Sequence, residues 1–154
     1  MRRMFLNGTA MSGQKDHATI AGAAFLGAAR TAPCYRFFAV RDEFPGLLPV
    51  RENGASIEGE LYEMPEEMLY DALLPEEPAE LELGAIVLDD GTVVNAMHLQ
   101  PERVAAGDRL VDISGYGGWR AYQAALRAAG SAADSAAAGS AAGSAGAEAA
   151  GGPR

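Results

Sequence analysis

The amino-acid sequence predicts one small α+β domain, a mostly antiparallel β-barrel with short helices packed on it. Three observations predict this fold class. Most of the recognisable elements are short strands separated by turn signals. The regular alternation of strand and helix that a doubly wound parallel sheet requires is absent. The large apolar side chains all lie within the first 126 residues, which is enough chain for a single hydrophobic core.

The first 40 residues contain three predicted strands and one short helix. A glycine-bounded loop follows the first strand, and Asp16 is placed to cap the helix that comes next. Pro33 separates the second strand from the third. In order, the predicted segments are the strand Met4–Leu6, the loop Asn7–Gly13, the helix His17–Ala21, and the strands Ala24–Thr31 and Tyr35–Val40.

Two hairpins are predicted in the middle of the chain, at the turn signals Asn53-Gly54 and Asp89-Asp90-Gly91. Apolar and polar residues alternate in the strand Ile57–Tyr62, which predicts one solvent-facing side that includes Glu60. The strands that flank the two turns are Leu47–Val50 with Ile57–Tyr62, and Leu83–Leu88 with Thr92–Leu99.

A helix is predicted on either side of the second hairpin. Pro65 suits the first turn of a helix, and the acidic residues beside it complement the positive end of the helix dipole. Pro75 and Pro78 end this helix and lead into extended chain. After a glycine-rich approach, a last helix is predicted at Trp119–Arg127, with large apolar side chains on one face.

The chain ends in a low-complexity segment that we predict to be disordered. From Ala128 to Gly152 every residue is alanine, glycine or serine, apart from Asp134 and Glu148. Such small side chains cannot bury enough apolar surface to offset the entropy of ordering the backbone. We therefore expect a folded domain at residues 1–127 and a disordered tail at residues 128–154.

The net charge of −9 at pH 7 argues against two classes of partner. Nucleic-acid binding needs clustered Lys and Arg, and so does docking on an anionic membrane surface. Between Glu58 and Asp90 there are twelve acidic residues and no Lys or Arg. We interpret this acidic stretch as a solvated face, with a surface for a basic partner as the alternative. We expect neither nucleic acid nor a membrane as a partner.

Cysteine and histidine usage indicates a reducing compartment and no metal. Cys34 is the only cysteine, so no disulfide can form within the chain. The apolar run Met4–Leu6 is too short for a signal peptide. We therefore expect a cytoplasmic protein. His17, His98 and Cys34 are too widely spaced for a metal motif, and no metal or other cofactor is predicted.

Several segments, taken in order, resemble one group of proteins. They are Phe5-Leu6-Asn7-Gly8-Thr9-Ala10-Met11, Phe25-Leu26-Gly27, Arg30-Thr31-Ala32-Pro33, Tyr35-Arg36, Pro45-Gly46-Leu47, Ile57–Tyr62, Leu83-Gly84, Leu88-Asp89-Asp90-Gly91 and Gly117–Tyr122. The first resembles the opening strand and loop of gamma-glutamylcyclotransferase-like (AIG2-like) proteins. The others are similar to the C-terminal domain of allophanate hydrolases. The resemblance covers about Met4–Leu126 and implies the gamma-glutamylcyclotransferase-like fold.

The loop after the first strand is the candidate binding site. A glycine-bounded loop followed by a helix presents backbone N–H groups that can hold a carboxylate. The alternative is a tight turn in which glycine serves only the backbone geometry. A tyrosine and an arginine from the third strand are predicted as a pocket wall and an anion partner. The predicted binding residues are Asn7, Gly8, Thr9, Ala10, Met11, Tyr35 and Arg36.

Three side chains are predicted to carry chemistry. His17 lies beside the loop, and a histidine there can act as a general base; an ordinary surface histidine is the alternative. The allophanate hydrolase resemblance implies a histidine that acts in decarboxylating N-carboxycarbamate, and His17 is placed where we expect that residue. The cyclotransferase resemblance implies a catalytic glutamate after the middle helix, where the candidates are Glu77 and Glu80, together with Glu76.

Three functional hypotheses follow. The leading one is a domain that binds a small carboxylated urea or amide derivative in the loop and decarboxylates an N-carboxy compound. The alternative enzyme is a gamma-glutamyl cyclotransferase that releases 5-oxoproline. In both, the partner is a small-molecule carboxylate or amide. The third hypothesis is a non-catalytic partner of a separate amidase.

Overall fold

The computed structural model describes residues 1–132, which belong to two compact units. The first unit is Met1–Trp119, and the second begins at Arg120. Within its described residues the second unit is helical, as part of a helix that spans 119–132. Of the disordered tail predicted at 128–154, residues 128–132 continue this helix, and the remainder lies outside the described residues.

Eight strands form one mixed sheet in the first unit. The strands are β1 (Arg2–Leu6), β2 (Ala24–Arg30), β3 (Tyr35–Val40), β4 (Phe44–Pro49), β5 (Glu58–Met64), β6 (Leu81–Val87), β7 (Val93–Leu99) and β8 (Leu110–Asp112). Their order is β2-β5-β1-β7-β4-β3-β8, and β6 pairs with β7 beside this path. The pairs β1–β7 and β4–β7 are parallel, and the remaining pairs are antiparallel.

The sheet curls into a half-barrel. A bridge between Thr31 and Leu88 joins the chain after β2 to the chain after β6, so opposite edges of the sheet approach each other. The backbone hydrogen bond from Asp89 N to Arg30 O, at 2.9 Å, reinforces this closure. The predicted fold class, α+β with a mostly antiparallel curled sheet, is confirmed.

Short helical segments connect the strands. His17–Ile20 forms a 3-10 turn between β1 and β2, as predicted, but the Asp16 side chain makes no cap hydrogen bond. Between β5 and β6, a π-helix at Met68–Leu73 continues into the α-helical turn Leu74–Glu76. Further 3-10 turns in the described chain lie at Pro101–Arg103 and Ser114–Tyr116. Within residues 1–132, no helix combines the length and the apolar character needed to cross a membrane.

Two groups of apolar side chains fill the interior. Fully buried members of the main core include Phe5, Phe37, Leu47, Ile57, Leu69 and Ile86. Each such side chain contributes about 1.5–3 kcal/mol by leaving water. A second cluster consists of Val40, Phe44 and Leu99, with Phe38, Leu81 and Val104 packed against it. Two members of this second cluster, Phe44 and Leu81, also line the pocket described below.

The first predicted hairpin is wrong. Strand β4 pairs with β3 and β7, whereas β5 pairs with β1 and β2. The Asn53-Gly54 signal does mark a turn, since Asn53 has φ 59°. A Cβ on Gly54 would lie 2.5 Å from the carbonyl oxygen of Pro33, so the glycine allows close backbone approach. The second predicted hairpin is present as β6–β7.

The solvent-facing side predicted for β5 is also wrong at two positions. Glu60 is only 7% exposed, and its neighbour on the same side, Tyr62, is 4% exposed. The reason is that the loop after β1 covers this side of β5 and supplies hydrogen-bond donors to the carboxylate.

Candidate functional site

The loop after β1 is folded back on itself by backbone hydrogen bonds. Met11 N donates to Gly8 O at 3.1 Å, and Asp16 N donates to Thr9 O at 2.8 Å. Gly8 packs directly against Pro45, because a Cβ at this position would lie 2.7 Å from the Pro45 Cδ. Glycine is therefore required here by close packing, in addition to any role in ligand binding.

A pocket opens between this loop, the start of β4 and the chain after the middle helix. The cavity itself has a volume of about 30 Å³ and opens to solvent. Apolar side chains form most of its wall, and no Lys, Arg or His belongs to it. The lining residues are Leu6, Asn7, Gly8, Thr9, Ala10, Phe44, Pro45, Glu77, Pro78, Leu81 and Met97. Hence any anion bound here meets neutral N–H donors and no cationic side chain.

Glu77 is the acidic side chain of this pocket. It follows the last helical residue, Glu76, and its backbone N donates to Leu74 O at 3.1 Å, which fixes its main chain. Burial, and to a smaller extent the negative charge of Asp16, raise the pKa of Glu77 from 4.5 to about 7. The Glu77 carboxyl is therefore divided between its protonated and ionised forms near neutral pH, as acid–base catalysis requires.

Unused hydrogen-bond donors lie in the same pocket. Asn7 is 9% exposed, and its Nδ2 has no partner among residues 1–132. Within the same described range, the backbone N–H groups of Gly8, Thr9 and Ala10 donate no hydrogen bond. A buried donor without an acceptor is costly, so Asn7 Nδ2 is suited to bind an oxygen of a ligand, with the loop N–H groups beside it.

The far end of the loop is held by a carboxylate that the sequence analysis placed in solvent. Glu60 Oε1 accepts a hydrogen bond from Ser12 N at 2.8 Å, and Glu60 Oε2 accepts one from Ser12 Oγ at 2.6 Å. Tyr62 Oη also donates to Glu60 Oε1, at 2.9 Å. We call this arrangement of Glu60, Ser12 and Tyr62 the loop clamp. No local sequence signal identifies it, because Ser12 and Glu60 meet only in the tertiary structure.

His17 contacts the loop but does not line the pocket. Its Nδ1 lies 2.9 Å from Ala10 O, which makes this nitrogen the N–H donor of the ring. The imidazole centroid is 5.9 Å from that of Tyr62. The geometry therefore describes His17 as a support for the loop, beside the loop clamp.

Glu80 also lies outside the pocket lining. Its Oε2 is 2.8 Å from Nη1 of Arg41, and this hydrogen bond lowers the pKa of Glu80. An ionised, ion-paired carboxylate is a poor proton carrier near neutral pH. Of the two glutamates predicted as catalytic, the structure thus brings only Glu77 to the loop.

The two binding residues predicted on β3 lie away from the pocket lining. Tyr35 is buried, and its hydroxyl oxygen accepts a hydrogen bond from Val87 N at 2.9 Å. Arg36 forms an ion pair with Asp112, with 2.9 Å between Nη2 and Oδ2. Both side chains therefore have structural partners within the sheet. Of the predicted loop residues, Met11 is buried without lining the pocket, whereas the other four line it.

Across residues 1–132, no group of three or more His, Cys, Asp or Glu side chains is arranged to hold a metal ion. The chemistry available to the pocket is hydrogen bonding from the loop and proton transfer by Glu77.

The curled sheet with a loop after its first strand is a known fold. A mouse AIG2-like protein has the same fold, with a TM-score of 0.52, 24% identity, and coverage of 69% of this chain and 80% of that one. More specifically, residues 2–124 match the allophanate hydrolase C-terminal domain family. The chain belongs to this family, and the resemblance predicted from sequence is confirmed.

Two relatives show the settings in which such a domain occurs. In the urea amidolyase of Saccharomyces cerevisiae, a segment of 110 residues is 33% identical to this chain. The match covers 68% of this chain but only 6% of the yeast protein. The protein c4763, described as specific to uropathogenic Escherichia coli, is 32% identical with a TM-score of 0.72. That match covers 80% of this chain and 95% of c4763, so a relative consisting almost entirely of this domain has been crystallised.

Proposed function

We propose that this chain binds a small urea or amide derivative in the loop pocket and that Glu77 exchanges a proton with it. One observation carries the proposal. A partly buried carboxyl, whose pKa is raised to about 7, shares a pocket with the unpartnered Asn7 amide and the free N–H groups of the loop. Donors on one side and a proton carrier on the other suit a ligand that presents a carbonyl oxygen and a nitrogen.

The leading reaction is decarboxylation of an N-carboxy compound. The bond between nitrogen and the carboxylate carbon breaks and carbon dioxide leaves. The electron pair of the broken bond remains on nitrogen. Protonated Glu77 gives its proton to that nitrogen and recovers a proton from water afterwards. The loop N–H groups and Asn7 Nδ2 hold the oxygen of the neighbouring carbonyl, which spreads the developing charge.

Glu77 replaces His17 in this proposal for a geometric reason. The Nδ1 of His17 donates a hydrogen bond to Ala10 O, and the His17 ring is not part of the pocket wall. Glu77 lies in the wall and has a pKa raised to about 7. His17 then acts indirectly, by supporting the loop that presents the N–H donors.

The second candidate reaction is gamma-glutamyl cyclotransfer, and the position of Glu77 beside the loop favours it as well. Here ionised Glu77 takes a proton from the α-amine of the substrate. The amine attacks the γ-carbonyl carbon, the amide bond to the leaving amine breaks, and 5-oxoproline is released. The proton returns from Glu77 to the leaving amine. The same side chain thus works in the opposite protonation state.

The pH dependence of activity separates the two reactions. For decarboxylation, the product of an allophanate amidase is supplied and carbon dioxide release is measured with and without the protein. For cyclotransfer, 5-oxoproline is measured from a gamma-glutamyl amine. Decarboxylation by protonated Glu77 declines as pH rises through about 7, whereas cyclotransfer by ionised Glu77 increases over the same range.

The matched variants are Glu77→Gln and Glu76→Gln. Removing a general acid or base lowers kcat/KM by about 10²–10⁴-fold, so Glu77→Gln should lose the activity. Glu76 is exposed and does not line the pocket, so its substitution should leave the rate unchanged. Equal rates with and without the protein in both assays would remove the enzymatic proposals.

We also propose that the domain works beside an amidase. The yeast relative is a urea amidolyase in which the similar segment is a small part of a much longer protein, so association with an amide-cleaving enzyme is a natural setting. Co-purification with a separate amidase tests this. Binding that survives Glu77→Gln would favour a non-catalytic partner over an enzyme.

A further inference from the structure

The turn between β3 and β4 has an unusual backbone for its sequence. Arg41 and Asp42 have φ values of 53° and 57°, in the left-handed region that glycine and asparagine normally occupy in hairpin turns. The turn is closed by a hydrogen bond from Glu43 N to Val40 O at 2.9 Å. Non-glycine residues persist in this conformation when surrounding contacts determine it. The side chain of Arg41 makes such contacts.

The Arg41 guanidinium joins several parts of the molecule. Its Nη1 lies 2.8 Å from Glu80 Oε2 and 2.8 Å from Asp108 Oδ2, and its Nε lies 3.0 Å from Glu43 Oε1. The guanidinium carbon is also 5.5 Å from the centroid of the Phe44 ring, within range of a cation–π contact. One side chain therefore connects the β3–β4 turn to the chain that precedes β6 and to the loop that precedes β8.

Two of these contacts reach the pocket. Phe44 lines it directly, and Glu80 is three residues beyond Glu77. Pro78 stiffens the intervening chain, because its ring fixes φ. The position of Glu80 therefore constrains the position of Glu77 through a short and stiff segment. The Glu80 backbone has one further anchor, a hydrogen bond from Gln100 N to Glu80 O at 2.8 Å.

We propose that Arg41 is a positioning residue, which holds Glu77 in the pocket by tying the segment Glu77–Glu80 to the wall that contains Phe44. The expected change in the pH profile of activity rests on the proposed function, whereas the expected change in the Glu77 titration midpoint does not. The ion pair is too accessible to contribute much stability, since 30% of the Arg41 side chain and 14% of the Glu80 side chain are exposed. Its geometric effect on Glu77 is the feature to test.

The test follows the titration of the Glu77 carboxyl by NMR of carbon-13-labelled glutamate, with the signal assigned by its loss in Glu77→Gln. Arg41→Met and Glu80→Gln both remove the ion pair between Arg41 and Glu80. We expect the Glu77 titration midpoint to fall by more than about one pH unit in either variant, as the carboxyl reaches water. The charged group that acts on Glu77 from the facing loop is Asp16, which neither variant changes.

In Arg41→Met the direction of the Glu77 shift separates positioning from simple charge loss, whereas in Glu80→Gln the loss of a nearby negative charge lowers the Glu77 pKa as well. Deleting the positive charge of Arg41 would by itself raise the pKa of a nearby carboxyl, whereas release of Glu77 into water lowers it. The double variant should show no further fall, because both substitutions remove one connection. Arg41→Lys, which keeps the charge, should recover part of the shift. The pH profile of kcat/KM should move with the NMR midpoint.

The control is Arg109→Met. Arg109 is 63% exposed and pairs with Asp42 of the same turn, at 3.1 Å between Nη1 and Oδ2, without contacting the pocket wall. Its substitution should leave the Glu77 midpoint in place. An unchanged midpoint in folded Glu80→Gln overturns the proposal even if Arg41→Met fails to fold. Full activity in Glu77→Gln would refute the proposed function. If the Glu77 midpoint still shifts in Arg41→Met and Glu80→Gln, the positioning role of Arg41 stands.

Discussion

Glu77→Gln should stabilise the protein at neutral and alkaline pH, and this effect can be measured without any substrate. The pKa of Glu77 is raised by burial from 4.5 to about 7, which means that the folded state disfavours the ionised carboxyl. Glutamine has nearly the same shape and never ionises. The variant therefore removes the cost of burying a charge while keeping most contacts.

The sign and size of the effect follow from proton linkage. Because the folded pKa of Glu77 lies above its unfolded pKa, its protonation contributes stability that is complete below pH 4.5. That contribution is lost as pH rises through about 7. At about 1.4 kcal/mol per pH unit, the difference between the two pKa values corresponds to at most about 3 kcal/mol. Partial exposure reduces this, so we expect about 1–3 kcal/mol.

The assay is urea unfolding at about pH 5 and at about pH 8, followed by the fluorescence of the single tryptophan, Trp119, which is buried. The free energy of unfolding of Glu77→Gln should exceed that of the native protein only at the higher pH. Glu76→Gln, at an exposed neighbouring position, should show no such difference. Parallel pH dependence in the native protein and Glu77→Gln would refute a buried, destabilised carboxylate at this site.

Two further substitutions test the supports of the loop. Glu60→Ala should lower the free energy of unfolding by about 1–3 kcal/mol or more, because it leaves the Ser12 N–H without its acceptor. The control, Glu63→Ala, removes only a surface ion pair. Urea unfolding measures the free energy, and amide exchange reports on the Ser12 N–H. Gly59→Ala should lower the free energy of unfolding by about 1–3 kcal/mol, since its Cβ would lie 2.4 Å from a β1 carbonyl oxygen. Gly115→Ala, with open space around it, is the control. Equal melting temperatures of the two variants would contradict the packing argument.

Local pattern was sufficient for elements whose signals lie within the element itself. Strand β3 has the predicted bounds, Tyr35–Val40, and the β6–β7 hairpin forms around Gly91, which has φ 89° as the turn signal implies. The 3-10 turn His17–Ile20 also lies where a helix was predicted. These elements are encoded by a few neighbouring residues, so tertiary contacts had little to override.

Strand pairing failed where turn chemistry and tertiary contact disagree. Asn53-Gly54 has the composition of a hairpin turn, but its glycine serves close approach to Pro33. The actual hairpin turn uses Asp42 together with Arg41, a residue with no such preference, and side-chain ion pairs hold it. A sequence pattern records what a backbone prefers; it does not record which distant acids stabilise a disfavoured conformation.

The candidate site was predictable in outline only. The glycine loop identified the region, and the resemblance to a family narrowed the acid to Glu77, Glu80 or Glu76. Choosing among them requires knowing that Arg41 neutralises Glu80 and that Glu76 is exposed, both of which are tertiary facts. Glu60 escaped notice for the same reason, since alternation in β5 assigned it to solvent.

The charge of the bound molecule itself can decide which reaction Glu77 serves. The pocket wall contains no cationic side chain, so the ligand supplies the nearest variable charge. An N-carboxylate beside Glu77 would raise its pKa above about 7 and hold it protonated, as an acid for decarboxylation requires. An ammonium group would lower the same pKa and leave the carboxylate that cyclotransfer needs. Under the proposed function, the charge of the bound ligand would therefore set the protonation state of Glu77, whose pKa of about 7 lies near neutrality.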